Sequence, residues 1–204
     1  GSRYILVQLP EPLDSDEKEQ EIAAQFCDSV GKPRNLCEVT KERLRRAAKK
    51  IKTENAPYRG DLGFRVFKLA STNIREWDPD RHDLSRAILD SAEHLKTDRT
   101  EQDILFELLL KLGLELTVPI EEKRIAGKTV YGVGSGALIV CLAPQIGRGE
   151  IESLAHGIVA WRAELKPAGD TQVVFRDSAF GDDVAKANIT AILQQYGIEN
   201  VRSL

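Results

Sequence analysis

The stretch from Arg99 to Leu142, RTEQDILFELLLKLGLELTVPIEEKRIAGKTVYGVGSGALIVCL, sets the strongest limit on the fold, because no other segment joins such length to such apolar density. Thr100 and Asp103 form a capping pair at its start and Gly113 follows the last helical leucine, so a helix with both ends marked is predicted. Ile104, Leu105, Leu108, Leu109 and Leu112 fall on one stripe, and Phe106 and Leu110 widen it, which predicts a helix covered on two sides. Three strands follow. Leu114 to Ile120 alternates, Thr129 to Val133 comes after a turn at Ala126-Gly127-Lys128, and Ala137 to Leu142 is apolar throughout and therefore central. Nothing on the helix looks catalytic.

Ahead of it, Arg3 to Leu9 (RYILVQL) reads as a strand with no preceding cap, turn or partner. Together with Gly1-Ser2, which resemble an expression scar, and the absence of Met, this suggests a piece of a longer protein. Glu19 to Val30 is expected to be helical, with Ile22, Ala23, Phe26 and Val30 on one side, and Gly31-Lys32-Pro33 stops it. A second helix starts at the capping residue Asn35 and runs to about Lys52. Gly60 to Leu69 alternates as a strand, Ser71 to Asp80 is a crossover segment, and Asp83 to Lys96 is an amphipathic helix. After the central stretch come a helix over Glu150 to Leu165, a strand over Gln172 to Phe175, a helix over Asp182 to Tyr196 and a strand over Ile198 to Val201. From Asp83 onward this order predicts a mixed α/β domain with its sheet covered by helices.

A net charge of −3 gives no general attraction to nucleic acid or anionic membrane, so any basic surface has to be local. It lies on the second helix: in KERLRRAAKKIK, Lys41, Arg45, Lys49 and Lys52 share one face with Arg46 and Lys50 beside it. Two readings stand side by side. Several cations on one rigid face can release counterions together against DNA phosphates, which assigns Lys41, Arg45 and Lys49 to DNA binding. Alternatively the face is solvated and paired with the acidic segment Asp14 to Glu21. Cys27, Cys37 and Cys141, odd in number and widely spaced, imply reduced thiols and a cytoplasmic location. His82, His94 and His156 have no metal-ligand spacing, so no metal site is assigned, and no run is apolar enough to span a membrane.

Three stretches imitate active sites. Gly132-Val133-Gly134-Ser135-Gly136 resembles a phosphate loop but leads into a strand rather than a helix N-terminus, so a hairpin is expected. Asp182 and Asp183 in DSAFGDDVAKAN sit where a helix start wants negative charge, with Lys186 one turn on to pair with them. Asn55-Ala56-Pro57-Tyr58 lacks one proline of the tetrapeptide with which amino-group DNA methyltransferases hold a flipped base, so no residue is assigned as catalytic.

Several segments taken together resemble one family, the C-terminal half of the modification subunit of type III restriction-modification systems, an adenine-specific DNA methyltransferase. They are RYILVQLPEP, CEVTKERLRRAAKKIK, DLGFRVFKLASTNIREW, RTEQDILFELLLKLGLELTVPI and VVFRDSAFGDDVAKANITAIL, in the family's order over nearly the whole chain. The resemblance implies an α/β protein: a partial Rossmann-like methyltransferase half over residues 1–70, followed by a mixed α/β C-terminal domain over 71–204 containing a three-stranded meander. It implies S-adenosylmethionine as cofactor of the parent enzyme, with RYILVQL as the strand after the cofactor's glycine loop and Gln8 where an acidic residue normally meets the ribose. The glycine loop and a true catalytic tetrapeptide are missing, so the fragment itself is expected neither to methylate nor to bind the methyl donor tightly. Implied partners are the remainder of the methyltransferase, a second copy in a homodimer, a helicase-nuclease restriction subunit, and double-stranded DNA through the parent enzyme. The alternative is a pure protein-interaction module for dimerisation or docking. An independent small α/β enzyme ranks last, for want of a convergent nucleophile, base or metal set.

Overall fold

A β-prone run such as RYILVQL becomes a strand only where another backbone offers a ladder, and among the described residues the first part of this chain forms none. The computed structural model describes residues 4–55, 57–75 and 95–204. Its contacts divide the chain into two units, Gly1–Phe67 and Lys68–Leu204.

The described part of the first unit holds two helices, α1 (Glu21–Ser29) and α2 (Leu36–Glu54), and no strand. The strands expected over 3–9 and 60–69 are not formed at their described residues. Ile5 and Val7 are 90% and 91% exposed, and Cys37 Sγ donates to the carbonyls of Gln8 and Leu9 at 3.6 and 3.4 Å. One isolated bridge, Pro12 to Asn35, ties the N-terminal segment to the start of α2. A Rossmann-like half is therefore not what the first unit displays. On α1 the covered side is turned from the expected one: Ala24 and Cys27 are buried while Ile22 is 79% exposed. Asn35 caps α2 as expected, accepting from the Glu38 N–H at 3.0 Å.

The second unit is built on a five-stranded sheet of β1 (Ile120–Ile125), β2 (Lys128–Val133), β3 (Leu138–Cys141), β4 (Gln172–Phe175) and β5 (Asn200–Ser203), in that spatial order. The first three strands form the antiparallel meander expected from the sequence; β4 and β5 continue it in parallel. Helix α4 (Ile151–Leu165) links β3 to β4, and α5 (Asp183–Gln195) links β4 to β5. Two successive crossovers of one hand, stepping in one direction, put both helices on the same face. The packing shows this: Ile139, Cys141, Val173 and Phe175 meet Leu154, Ile158, Ile189 and Leu193 in one cluster. The opposite face, Leu138, Val140 and Val174, meets Ile104, Leu105, Leu108 and Leu109 of α3 (Glu101–Lys111) in another. The alternation of β3 between these clusters explains why LIVCL has no polar residue: both its faces are core.

Helix α3 carries the expected capping box at Thr100 and Asp103, and Gly113 follows it at φ +70°. Of the two residues expected to widen its stripe, Phe106 packs against the α3 cluster, whereas Leu110 is 61% exposed. The strand expected over 114–120 is displaced. Residues 115–118 form a turn closed by the Val118 N–H donating to the Glu115 carbonyl at 3.1 Å. Pro119, with no N–H to give a ladder, then precedes β1, while Leu116 and Val118 still pack against the α3 cluster. The charged run IEEKRI becomes the edge strand instead, with Lys123 paired to Glu164 of α4 at 2.6 Å. The helix expected over Asp83 to Lys96 lies outside the described residues except for its end, where Leu95 is buried and bridges to Ile74.

The glycine-rich stretch is the hairpin between β2 and β3, with Gly134, Ser135 and Gly136 all at positive φ. Its glycines also serve packing, because a Cβ on Gly132 or Gly136 would stand 3.0 Å from Leu165. A tighter approach occurs at Gly157 in the middle of α4, where an added Cβ would lie 2.1 Å from Ile125 Cγ2. Substituting Gly157→Ala gains about 1 kcal/mol of helix propensity but overpacks the seam between α4 and β1. A net loss of about 1–2 kcal/mol is expected by denaturant unfolding, with recovery when Ile125→Ala is added. A fully stabilising Gly157→Ala would show that the helix does not rest on β1.

Candidate nucleic-acid interface

Helix α2 carries seven lysines and arginines against three glutamates, a balance of +4, on a chain whose net charge is −3. None of its residues is fully buried, so it lies on the surface of its unit with one side half-covered. The cations do not pair with the acidic segment Asp14 to Glu21, as one reading of the sequence has it; those whose pairs are resolved bond to the helix's own glutamates. Lys41 is bonded to Glu38, with 24% of its side chain exposed. Arg45 and Arg46 both reach Glu42, at 3.4 and 3.1 Å, and Lys50 meets Glu54 at 3.7 Å. These are the i,i+3 and i,i+4 spacings that an α-helix brings together. The Arg46 hydrogen bond is the main cause holding the Glu42 carboxyl below its usual range. Arg46 also stacks its guanidinium over the Phe26 ring of α1, 4.8 Å from the centroid. The acidic segment instead meets Arg34, which donates to Ser15 Oγ at 3.2 Å and is held in a fork by Asp28 at 2.9 and 3.0 Å.

Of the three residues assigned to DNA binding, Arg45 and Lys49 are exposed and Lys41 is partly covered. Two features of the face escape the sequence reading. Glu42 gathers two arginines, which the spacing Glu42-Arg45-Arg46 could have revealed; the Phe26 stack joins two helices and leaves no local signal.

Gln8, assigned to the cofactor ribose, is exposed, and its side-chain amide donates to the neighbouring Leu9 carbonyl at 3.3 Å. The described residues around it form no strand.

The carboxyl ends of parallel strands are where open α/β sheets usually hold ligands. Here the loops after β3 and β4 are tied to each other. The Ile146 N–H donates to the Ala179 carbonyl at 2.8 Å and Arg148 Nε to Asp182 at 2.7 Å, while Asp177 N–H donates to the Leu204 carbonyl at 3.0 Å. Asp182 caps α5 as expected, accepting from Ala185 N–H at 2.8 Å. Lys186 pairs with Asp177 rather than with Asp182 or Asp183, and Arg148 engages the cap Asp182. Cys141, at the end of β3, is fully buried, and burial pushes its thiol up to about 11, far from a nucleophile's range. Among the described residues no group of three His, Cys, Asp or Glu side chains converges as metal ligands.

No protein-family model matches the chain, and neither does any curated protein or solved structure.

Proposed function

We propose that this chain is the C-terminal portion of an S-adenosylmethionine-dependent, adenine-specific DNA methyltransferase of a restriction-modification system, with its first unit facing DNA and its second serving as an accessory module. The observation that carries the DNA side of this reading is the +4 balance of α2 on a chain of net charge −3. The family-like order of segments, from RYILVQLPEP to VVFRDSAFGDDVAKANITAIL, supports the methyltransferase side. The second unit fits assembly with a second copy or with a helicase-nuclease subunit, since its parallel-strand ends are closed by their own hydrogen bonds.

On this reading residues 1–204, whose sequence holds no cofactor glycine loop, neither transfer methyl groups nor bind the methyl donor tightly by themselves. Isothermal titration with S-adenosylmethionine is expected to give no low-micromolar binding, whereas the polypeptide extended by the residues its gene encodes upstream methylates adenine in duplex DNA. Low-micromolar affinity in the chain alone, or an extended protein without methyl transfer, would overturn the reading.

The exposed apolar residues Tyr4, Ile5, Leu6, Val7 and Leu9 favour a second reading, a protein-interaction module that touches neither DNA nor cofactor. DNA binding at low salt that disappears when Lys41, Arg45 and Lys49 are changed to Glu supports the first reading; salt-independent association with a restriction subunit supports the second.

A further inference from the structure

Glu42 of α2 accepts from two arginines of consecutive sequence position, Arg45 at 3.4 Å and Arg46 at 3.1 Å. An anion that draws two guanidiniums to one point occupies the position a backbone phosphate would take, because carboxylate and phosphate oxygens meet the same fork of N–H donors. Arg46 is further oriented by the Phe26 ring beneath it, which presets its plane and lowers the ordering cost of a new bond. Both arginines remain open to solvent, with 50% and 64% of their side chains exposed. Lys49 is also exposed on this helix.

We infer that Arg45 and Arg46 form a phosphate clamp for double-stranded DNA and that Glu42 is its built-in competitor, released when a backbone phosphate takes its place. The occupant is a polyanion with regularly spaced phosphates, which the +4 balance of the helix complements along its length. Glu42 then sets affinity: it keeps the clamp assembled in the free protein and weakens binding by having to be displaced. Lys41, held by Glu38 and partly covered, is secondary.

This inference rests on the DNA reading of the chain, but its assay involves no methyl transfer. The measurement is fluorescence anisotropy of the full chain with a short duplex of G·C pairs only, at about 50 mM salt and rising. Glu42→Gln keeps the side-chain shape and is expected to tighten binding about three- to tenfold. Arg45→Ala with Arg46→Ala is expected to weaken it about tenfold and to reduce the salt slope by between about 1 and 2, as two lost phosphate contacts require. Arg46→Lys, which keeps the charge and loses the fork, falls between wild type and Arg46→Ala. Circular dichroism checks that the Arg46 variants keep their helices; if they do not, Glu42→Gln alone decides.

The clamp is refuted if Glu42→Gln binds no tighter than wild type, if neither binds duplex at low salt, or if polyglutamate of equal charge competes as well as the duplex. Methylation by the extended protein alongside an unresponsive Glu42→Gln would sink the clamp and leave the methyltransferase reading standing. Responsive duplex binding without methylation would do the reverse.

Discussion

Replacing Phe175 by Ala is expected to cost the second unit about 3–5 kcal/mol and to lower its unfolding midpoint by on the order of 10 °C. The ring is 1% exposed at the end of β4, in register with Cys141 of β3 and Ser203 of β5, so strands on both sides fix its backbone. It belongs to the cluster under α4 and α5 and meets Phe180 edge-to-face, with centroids 5.6 Å apart. Truncation removes the largest of the fully buried side chains and leaves a void that a strand held from both sides cannot close. Phe175→Leu, which keeps much of the volume, is expected to lose less than half as much. Urea unfolding followed by far-ultraviolet circular dichroism reads both; a loss under about 1 kcal/mol for the alanine variant would mean that the α4 and α5 face is not packed as described.

The second large effect is electrostatic. Glu107 of α3 accepts from the Asn73 N–H at 2.7 Å and from Thr72 Oγ1, and pairs with Lys111 at 3.0 Å. Burial works to raise this carboxyl, but the hydrogen bonds from Thr72, Asn73 and Lys111 outweigh it and bring the pKa down from 4.5 to about 2. A folded pKa below the unfolded one stabilises the fold fully above the unfolded value; the contribution is lost as pH falls towards the folded value. The size is at most about 3 kcal/mol, and less after solvent screening, since the side chain is 19% exposed. Glu107→Gln is therefore expected to destabilise the second unit by about 1–3 kcal/mol at pH 7, with the gap to wild type closing between about pH 5 and pH 2. A gap that stays constant across that range would mean that the carboxylate is not the group holding residues 72 and 73 to α3.

What could be read in the sequence follows from how local each signal is. Asn35, Thr100 and Asp182 each precede an amphipathic run by one residue, and each caps its helix through its own side chain. The strand Gln172 to Phe175 lies where its apolar run predicts, because such a run between two helices has few other fates. RYILVQL and GFRVFKL form no strand for the opposite reason: β-propensity reports what a segment does when given a partner, and the described residues of the first unit supply no ladder. The displaced first strand of the meander turns on a single Pro119 that alternation of leucines and valines conceals. On α2 the cationic face was legible, whereas its choice of partner was not. Glutamates three and four residues away prevailed over an acidic segment farther along the chain, since a helix fixes the former at no further cost in loop ordering.

The sheet order β1-β2-β3-β4-β5 is also the order of the chain. Each strand after β1 pairs with the strand before it in sequence, the antiparallel pairs across tight turns and the parallel pairs across a helix, so loop closure costs least for β1, β2 and β3 and the parallel pairings are the slower ones to form. Growth can begin at the tight β1–β2 turn, add β3 as its antiparallel neighbour, and then take on β4 and β5 with the helices that lead into them. During synthesis each strand from β2 onward leaves the ribosome after the neighbour it will join, so the growing edge of the sheet is covered by the next strand.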